Sequence, residues 1–114
     1  MAAGVAQIPW YATVFRGDVL ADALGEIAPV AMRYGATDYV VYRNRDDMYK
    51  FLQCSTFERK ADFEAYWYGS EMNDFRTIYS SYYQVPILYT WADVVIQGSL
   101  EHPSEAVLGN GETV

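Results

Sequence analysis

The sequence predicts an α+β domain in the order strand, helix, strand, strand, helix, strand, with four antiparallel strands in one sheet and the helices on one of its faces. Three observations carry this. Four runs, residues 8–15, 37–43, 49–57 and 87–96, are rich in β-branched and aromatic residues and alternate with period two. Apolar residues recur with a period near 3.6 after the first run and again after the third. Only the short polar stretch Arg45-Asp46-Asp47 separates the two middle runs, which makes them a hairpin. This order is the split βαβ, ferredoxin-like arrangement.

Each element has its own reason. Residues 1–7 are small and featureless and are expected to form a flexible arm ahead of a domain spanning 8–97. In the first strand Trp10, Ala12 and Val14 alternate with Tyr11, Thr13 and Phe15, and Pro9 lies near its start, where a missing amide does least harm. Gly17-Asp18 ends it, with Asp18 as N-cap of a helix whose apolar face carries Leu20, Ala23, Leu24, Ile27 and Ala31. Pro29 should bend or restart that helix, and Gly35 suits the position just past its end. After the hairpin, Phe63, Tyr66 and Trp67, then Met72, Phe75, Ile78, Tyr79 and Tyr82, keep helical spacing, interrupted by Gly69-Ser70. Two helices are therefore expected, over 59–68 and 71–81. Val85-Pro86 forces extended backbone into the last strand. From residue 98 to 114 Gly, Pro, Ser, Glu and Asn dominate, and a flexible acidic tail is expected.

Composition narrows the function. The net charge of −7 and the absence of a basic run argue against a nucleic-acid or anionic-membrane partner. No apolar run is long enough to span a bilayer and no secretion signal is visible, so a cytoplasmic protein is expected. Cys54 has no second cysteine to pair with and reads as a small buried residue. One histidine, His102 in the tail, cannot build a metal site or a nucleophile–histidine pair with Cys54. No metal and no cofactor are expected. Aromatic residues make up 17% of the chain and tyrosine dominates, which suits interfaces and pockets of mixed polarity as well as a tyrosine-rich core.

The strands also carry a second message. A sheet with one face in water alternates apolar with polar residues. Here both sides are largely apolar: Tyr39 and Val41 oppose Val40 and Tyr42, and Leu88, Ala92 and Val94 oppose Ile87, Tyr89, Trp91 and Val95. One chain has helix enough for one side, so a second copy packed sheet to sheet is expected on the other.

The stretch TDYVVYRNRDDMYKFLQCSTFERKADFEAYWYGSEMNDF resembles the antibiotic biosynthesis monooxygenase family of dimeric α/β barrels. There, a hairpin ends in an aromatic residue, a helix follows with a His often ten positions on, and a small-residue break leads to a short second helix. Phe57 holds the aromatic position, Trp67 the His position, and Gly69-Ser70 the break. The resemblance implies a homodimer and an activity drawn from cofactor-free oxygenases of phenolic or quinone-like polyketides, or from heme-degrading enzymes. Trp67 departs from the heme-degrading branch, because an indole N–H donates and cannot ligate iron. The resemblance implies that Phe57 points into an aromatic pocket between sheet and helices. Period two then brings Tyr49, Phe51, Gln53 and Ser55 to the same side. Trp67 would close the cavity from the helix, Trp91 would line it, and the Asn44 amide would steady an oxyanion. Each has a plainer reading: Phe57 and Trp67 as core, Asn44 as the start of the hairpin turn. Two functions follow. One is a small dimeric enzyme, a cofactor-independent monooxygenase or related cyclase, on an aromatic, polyketide-type substrate. The other is a non-catalytic small-molecule-binding or assembly protein on the same fold.

Overall fold

A computed structural model describes residues 3–102 and the backbone of 105–106. Its centre is strand β1 (Gly4–Tyr11), which pairs antiparallel with β3 (Lys50–Phe57) on one side and with β4 (Thr90–Asp93) on the other. Strand β2 (Ala36–Arg43) pairs with the outer edge of β3, giving the order β2-β3-β1-β4. This is the expected ferredoxin-like sheet, and all its pairings are antiparallel.

The first strand lies four residues earlier than its periodicity suggests. Gly4 to Gln7, expected in the arm, bond to both neighbours at once, Gly4 opposite Phe57 and Asp93 and Gln7 opposite Cys54 and Thr90. Two-sided pairing outweighs their weak intrinsic strand preference. Gly4 is needed there: a Cβ on it would lie 2.2 Å from the Trp91 ring, which crosses its backbone. At the other end the chain leaves the sheet, Phe15 adopts a positive φ of 67°, and Val14 and Phe15 are exposed.

Helix α1 (Gly17–Ile27) buries Leu20, Ala23, Leu24 and Ile27, the face read from its spacing. Asp18 is not its N-cap. Arg16 holds that place, and Asp18 sits in the first turn with its carboxylate 2.8 Å from Arg43 Nη1. Pro29 does restart the helix, as a 3₁₀ segment over Pro29–Tyr34, and Gly35 closes it in the left-handed conformation, φ 105°. Helices α2 (Lys60–Trp67) and α3 (Ser70–Ile78) flank the break at Gly69, where a Cβ would meet the Ala65 carbonyl oxygen at 2.7 Å. Gly69, rather than Ser70, is the N-cap of α3. That helix stops three residues short of expectation, because residues 79–82 fold into turns.

The final strand is much shorter than predicted. Only Thr90–Asp93 pairs with β1, and residues 85–89 run beside the rest of β1 without joining the ladder. A second small ladder, β5 (Ile96–Gln97) with β6 (Glu105–Ala106), brings part of the expected tail into regular structure. The expectations for residues 1–2 of the arm and for 103–104 and 107–114 of the tail lie outside the described residues.

The core fills one side of the sheet. Ala6, Ile8 and Trp10 of β1 and Phe51, Gln53, Ser55 and Phe57 of β3 point at the helices and are buried. The opposite face carries Pro9, Val40, Tyr42, Leu52 and Cys54, all at least partly exposed in the single chain. No helix of the described residues is long and apolar enough to cross a membrane.

Candidate functional site

The helix-side interior is an aromatic chamber filled by its own walls. Period two on β3 aims Phe51, Gln53, Ser55 and Phe57 inward, and one turn of α2 adds Phe63, Tyr66 and Trp67. Phe63 lies at the hub. Its ring is 5.7 Å from Phe57, 6.3 Å from Trp67 and 6.2 Å from Trp91, with Trp67 and Trp91 nearly parallel to it. Trp10 meets Trp67 at 6.1 Å and stands edge-on to Phe75 and Tyr83. Tyr89 closes the outer side, edge-on to Phe63 at 4.8 Å and to Trp67 at 5.7 Å. Gln53, Phe57, Trp67 and Trp91, four of the expected pocket residues, are thus gathered around Phe63 and Tyr66.

One hydrogen-bond chain runs through this chamber. Trp10 Nε1 donates to Gln53 Oε1 at 3.0 Å, Gln53 Nε2 donates to the Tyr66 hydroxyl at 3.0 Å, and that hydroxyl donates to the Ile27 carbonyl at 2.7 Å. Burial pushes the Tyr66 phenol up to about 12, against a smaller opposing effect of the Gln53 bond, so it stays neutral at physiological pH. Ser55, one pleat along, is buried, and its Oγ has no hydrogen-bond partner among the described residues. A buried hydroxyl without a partner is uncommon, because leaving its water unreplaced costs free energy.

The other expected site residues sit elsewhere. Phe51 and Phe57 are six residues apart on one strand, about 20 Å at the usual strand rise. Phe51 lies under the Arg43 guanidinium, 5.1 Å from its ring centre. The Tyr49 hydroxyl accepts from the Phe15 amide at 3.4 Å, beside the start of α1. Asn44 occupies the hairpin beyond the Phe51 end, and its Oδ1 accepts from the amides of Asp46 and Asp47 at 2.8 and 2.9 Å. That turn occupies the acceptor, the plainer of the two readings of Asn44. Arg76 lies 4.4 Å over the Trp67 ring and donates to the Trp67 carbonyl at 2.9 Å.

Open cavities among the described residues lie around this core. One of about 290 Å³ on the free sheet face is lined by Pro9, Tyr42, Asn44, Lys50, Phe51 and Leu52. One of about 290 Å³ between α1 and α3 carries Glu26, Glu71 and Asp74 over an apolar floor. One of about 340 Å³ separates the β1 end, Pro9 to Tyr11, from residues 84–87. Sequence reasoning missed Trp10, Tyr66 and Tyr89 as parts of the site. The readable signal was Gln53, a polar residue at an inward position between aromatic neighbours, which had to find buried partners.

No family model matches the sequence, and no curated protein matches it. Solved structures do. A candidate antibiotic biosynthesis monooxygenase from Nitrosomonas europaea superposes with a TM-score of 0.71 at 13% identity, covering 89% of this chain and 93% of that one. A structure named antibiotic biosynthesis monooxygenase aligns with a TM-score of 0.71 at 9% identity, over 81% and 98% of the two chains. Rv0793 from Mycobacterium tuberculosis gives 0.72 at 10% identity, over 86% and 100%. At such identities the likeness is one of backbone and not of site residues. The chain has the fold of the antibiotic biosynthesis monooxygenase structures.

Proposed function

We propose that the protein is a homodimeric, cofactor-independent oxygenase of flat phenolic or quinone-like, polyketide-type molecules, taken into the helix-side chamber. The observation that carries this reading is the Trp10–Gln53–Tyr66 chain inside aromatic walls. Phe57, Phe63, Trp67 and Trp91 offer ring faces for stacking; the Trp10 and Tyr66 donors are taken up within the chain, which leaves the second N–H of the Gln53 amide and the unpartnered Ser55 hydroxyl as donors in a place water does not reach. A substrate held there as an electron-rich anion is its own reductant: a ring CH₂ becomes C=O with one oxygen atom, and the other leaves as water. The fold shared with structures named for this activity agrees with the reading. So does the free sheet face, whose Pro9, Val40, Tyr42 and Leu52 suit the matching face of a second copy.

The test is oxygen uptake by the purified full chain with hydroxyanthrone- and naphthol-type compounds, without flavin or metal. Uptake that falls at least about tenfold in Trp67→Ala supports the reading. Inertness of every such compound, with wild type folded, overturns it.

A second reading, a non-catalytic small-molecule-binding or assembly protein, is favoured by the filled interior. Phe57 is 0% and Trp67 5% exposed, so the walls occupy the space a substrate needs. Naphthol binding without oxygen uptake decides for a binder, and a dimer that takes up neither decides for assembly.

A further inference from the structure

The chamber is closed on one side by a segment that the sheet does not hold. The β1–β4 ladder ends at Gln7 opposite Thr90, and the next backbone tie is Gln84 N–H to the Tyr11 carbonyl at 2.8 Å. Among the described residues, 85–89 form no backbone–backbone hydrogen bond between those two anchors. Val85 and Leu88 face solvent, 75% and 69% exposed. Ile87 and Tyr89 turn inward against the core. The 340 Å³ cavity lies along the first half of this segment, between residues 84–87 and the β1 end with Lys50, so residues 85–87 are not packed tightly against β1. Unbonded backbone beside a cavity, fixed at both ends, is the pattern of a low-stability opening unit.

What the segment carries inward is a phenol. The Tyr89 ring stands edge-on to both Phe63 and Trp67, the geometry preferred by an aromatic ring bound against two others. Its hydroxyl lies beside Tyr68 and Glu64 and, through desolvation first and those neighbours second, is held neutral. We propose that residues 85–89 are a gate and that the Tyr89 ring plugs the slot on Phe63 and Trp67 that takes the aromatic ring of an incoming phenolic ligand. The ligand class rests on the function proposed above. The gate rests on the unbonded segment and the cavity beside its first half.

An internal plug competes with ligand: a gate closed about nine-tenths of the time lowers apparent affinity about tenfold. The experiment titrates 2-naphthol into the full chain, read by tryptophan fluorescence, with hydroxyl-radical footprinting of side chains. Tyr89→Ala is expected to bind about tenfold tighter than wild type, and Tyr89→Phe, which keeps the plug, about equally. In wild type, saturating naphthol should raise labelling of the half-buried Tyr89 ring while Trp10 and Tyr66 stay protected. Equal affinity of wild type and a folded Tyr89→Ala overturns the gate, as does unchanged Tyr89 labelling at saturating naphthol. Should Tyr89→Ala fail to fold, Tyr89→Leu and the wild-type footprinting data decide by the same criteria. Tighter binding without oxygen uptake supports the gate and removes the oxygenase reading. Oxygen uptake with unchanged affinity does the reverse.

Discussion

Two single residues show how tightly the chamber is constrained. The Tyr66 hydroxyl both accepts from Gln53 and donates to the Ile27 carbonyl, so it links β3 to the end of α1. Tyr66→Phe strands both partners in the dry interior and is expected to lower stability by about 1–3 kcal/mol in urea unfolding. Tyr66 also sets an alkaline limit. Its folded value of about 12 lies above the ordinary 10.0, so its contribution is complete below pH 10 and is lost as pH rises through the folded value. Gly4 is constrained by shape. Gly4→Ala puts a methyl into the Trp91 ring and should cost about 1–3 kcal/mol. In a Trp91→Ala background the same change should cost less than about 0.5 kcal/mol, which a double-mutant cycle reads directly. Neither constraint is visible from local sequence: a glycine near the N-terminus looks like slack, and only the neighbouring strand supplies the ring.

Elements were legible where their own residues decide them. The α1 face, the restart at Pro29, the left-handed Gly35 and the break at Gly69 follow from backbone stereochemistry and periodicity. The edges were not legible, because a strand ends where its partner ends. Residues 87–89 are as rich in β-formers as 90–93, yet only the latter meet β1. Side-chain ties between elements are likewise decided in three dimensions. Glu71 of α3 accepts from the Tyr34 hydroxyl at 2.5 Å and pairs with Arg33 at 3.3 Å, fastening the 3₁₀ segment to α3. The Tyr34 bond, first, holds the Glu71 carboxyl below its ordinary 4.5. A lowered folded value means the contribution is present above that ordinary value and is lost as pH falls through the folded one. Stability should therefore decline as pH drops below 4.5, and Glu71→Gln should flatten that decline, as measured by urea midpoints across the acid range.

At the scale of the whole molecule, the free sheet face separates the two roles of the sheet. One face holds the chamber, and the other presents Pro9, Val40, Tyr42 and Leu52 to whatever covers it. Light scattering is expected to give about twice the 13.0 kDa chain mass for wild type. Leu52→Asp, which places a charge in the middle of that face, should give the single-chain mass with an unchanged circular dichroism spectrum. A dimeric Leu52→Asp protein would move the interface to another surface.

The sequence by itself determined the order of elements, the antiparallel ferredoxin-like sheet and the set of inward residues on β3, because period and turn chemistry act between near neighbours along the chain. The resemblance carried by residues 37–75 grouped Asn44, Tyr49 and Phe51 in one pocket with Gln53, Phe57, Trp67 and Trp91. Only the tertiary structure decided that the last four meet around Phe63 and fill the chamber, that the Asn44 side-chain carbonyl accepts from its own turn, and that Tyr89 leaves the sheet to cover them. Those outcomes depend on which side chains compete for one volume, and that competition is between residues far apart in the chain.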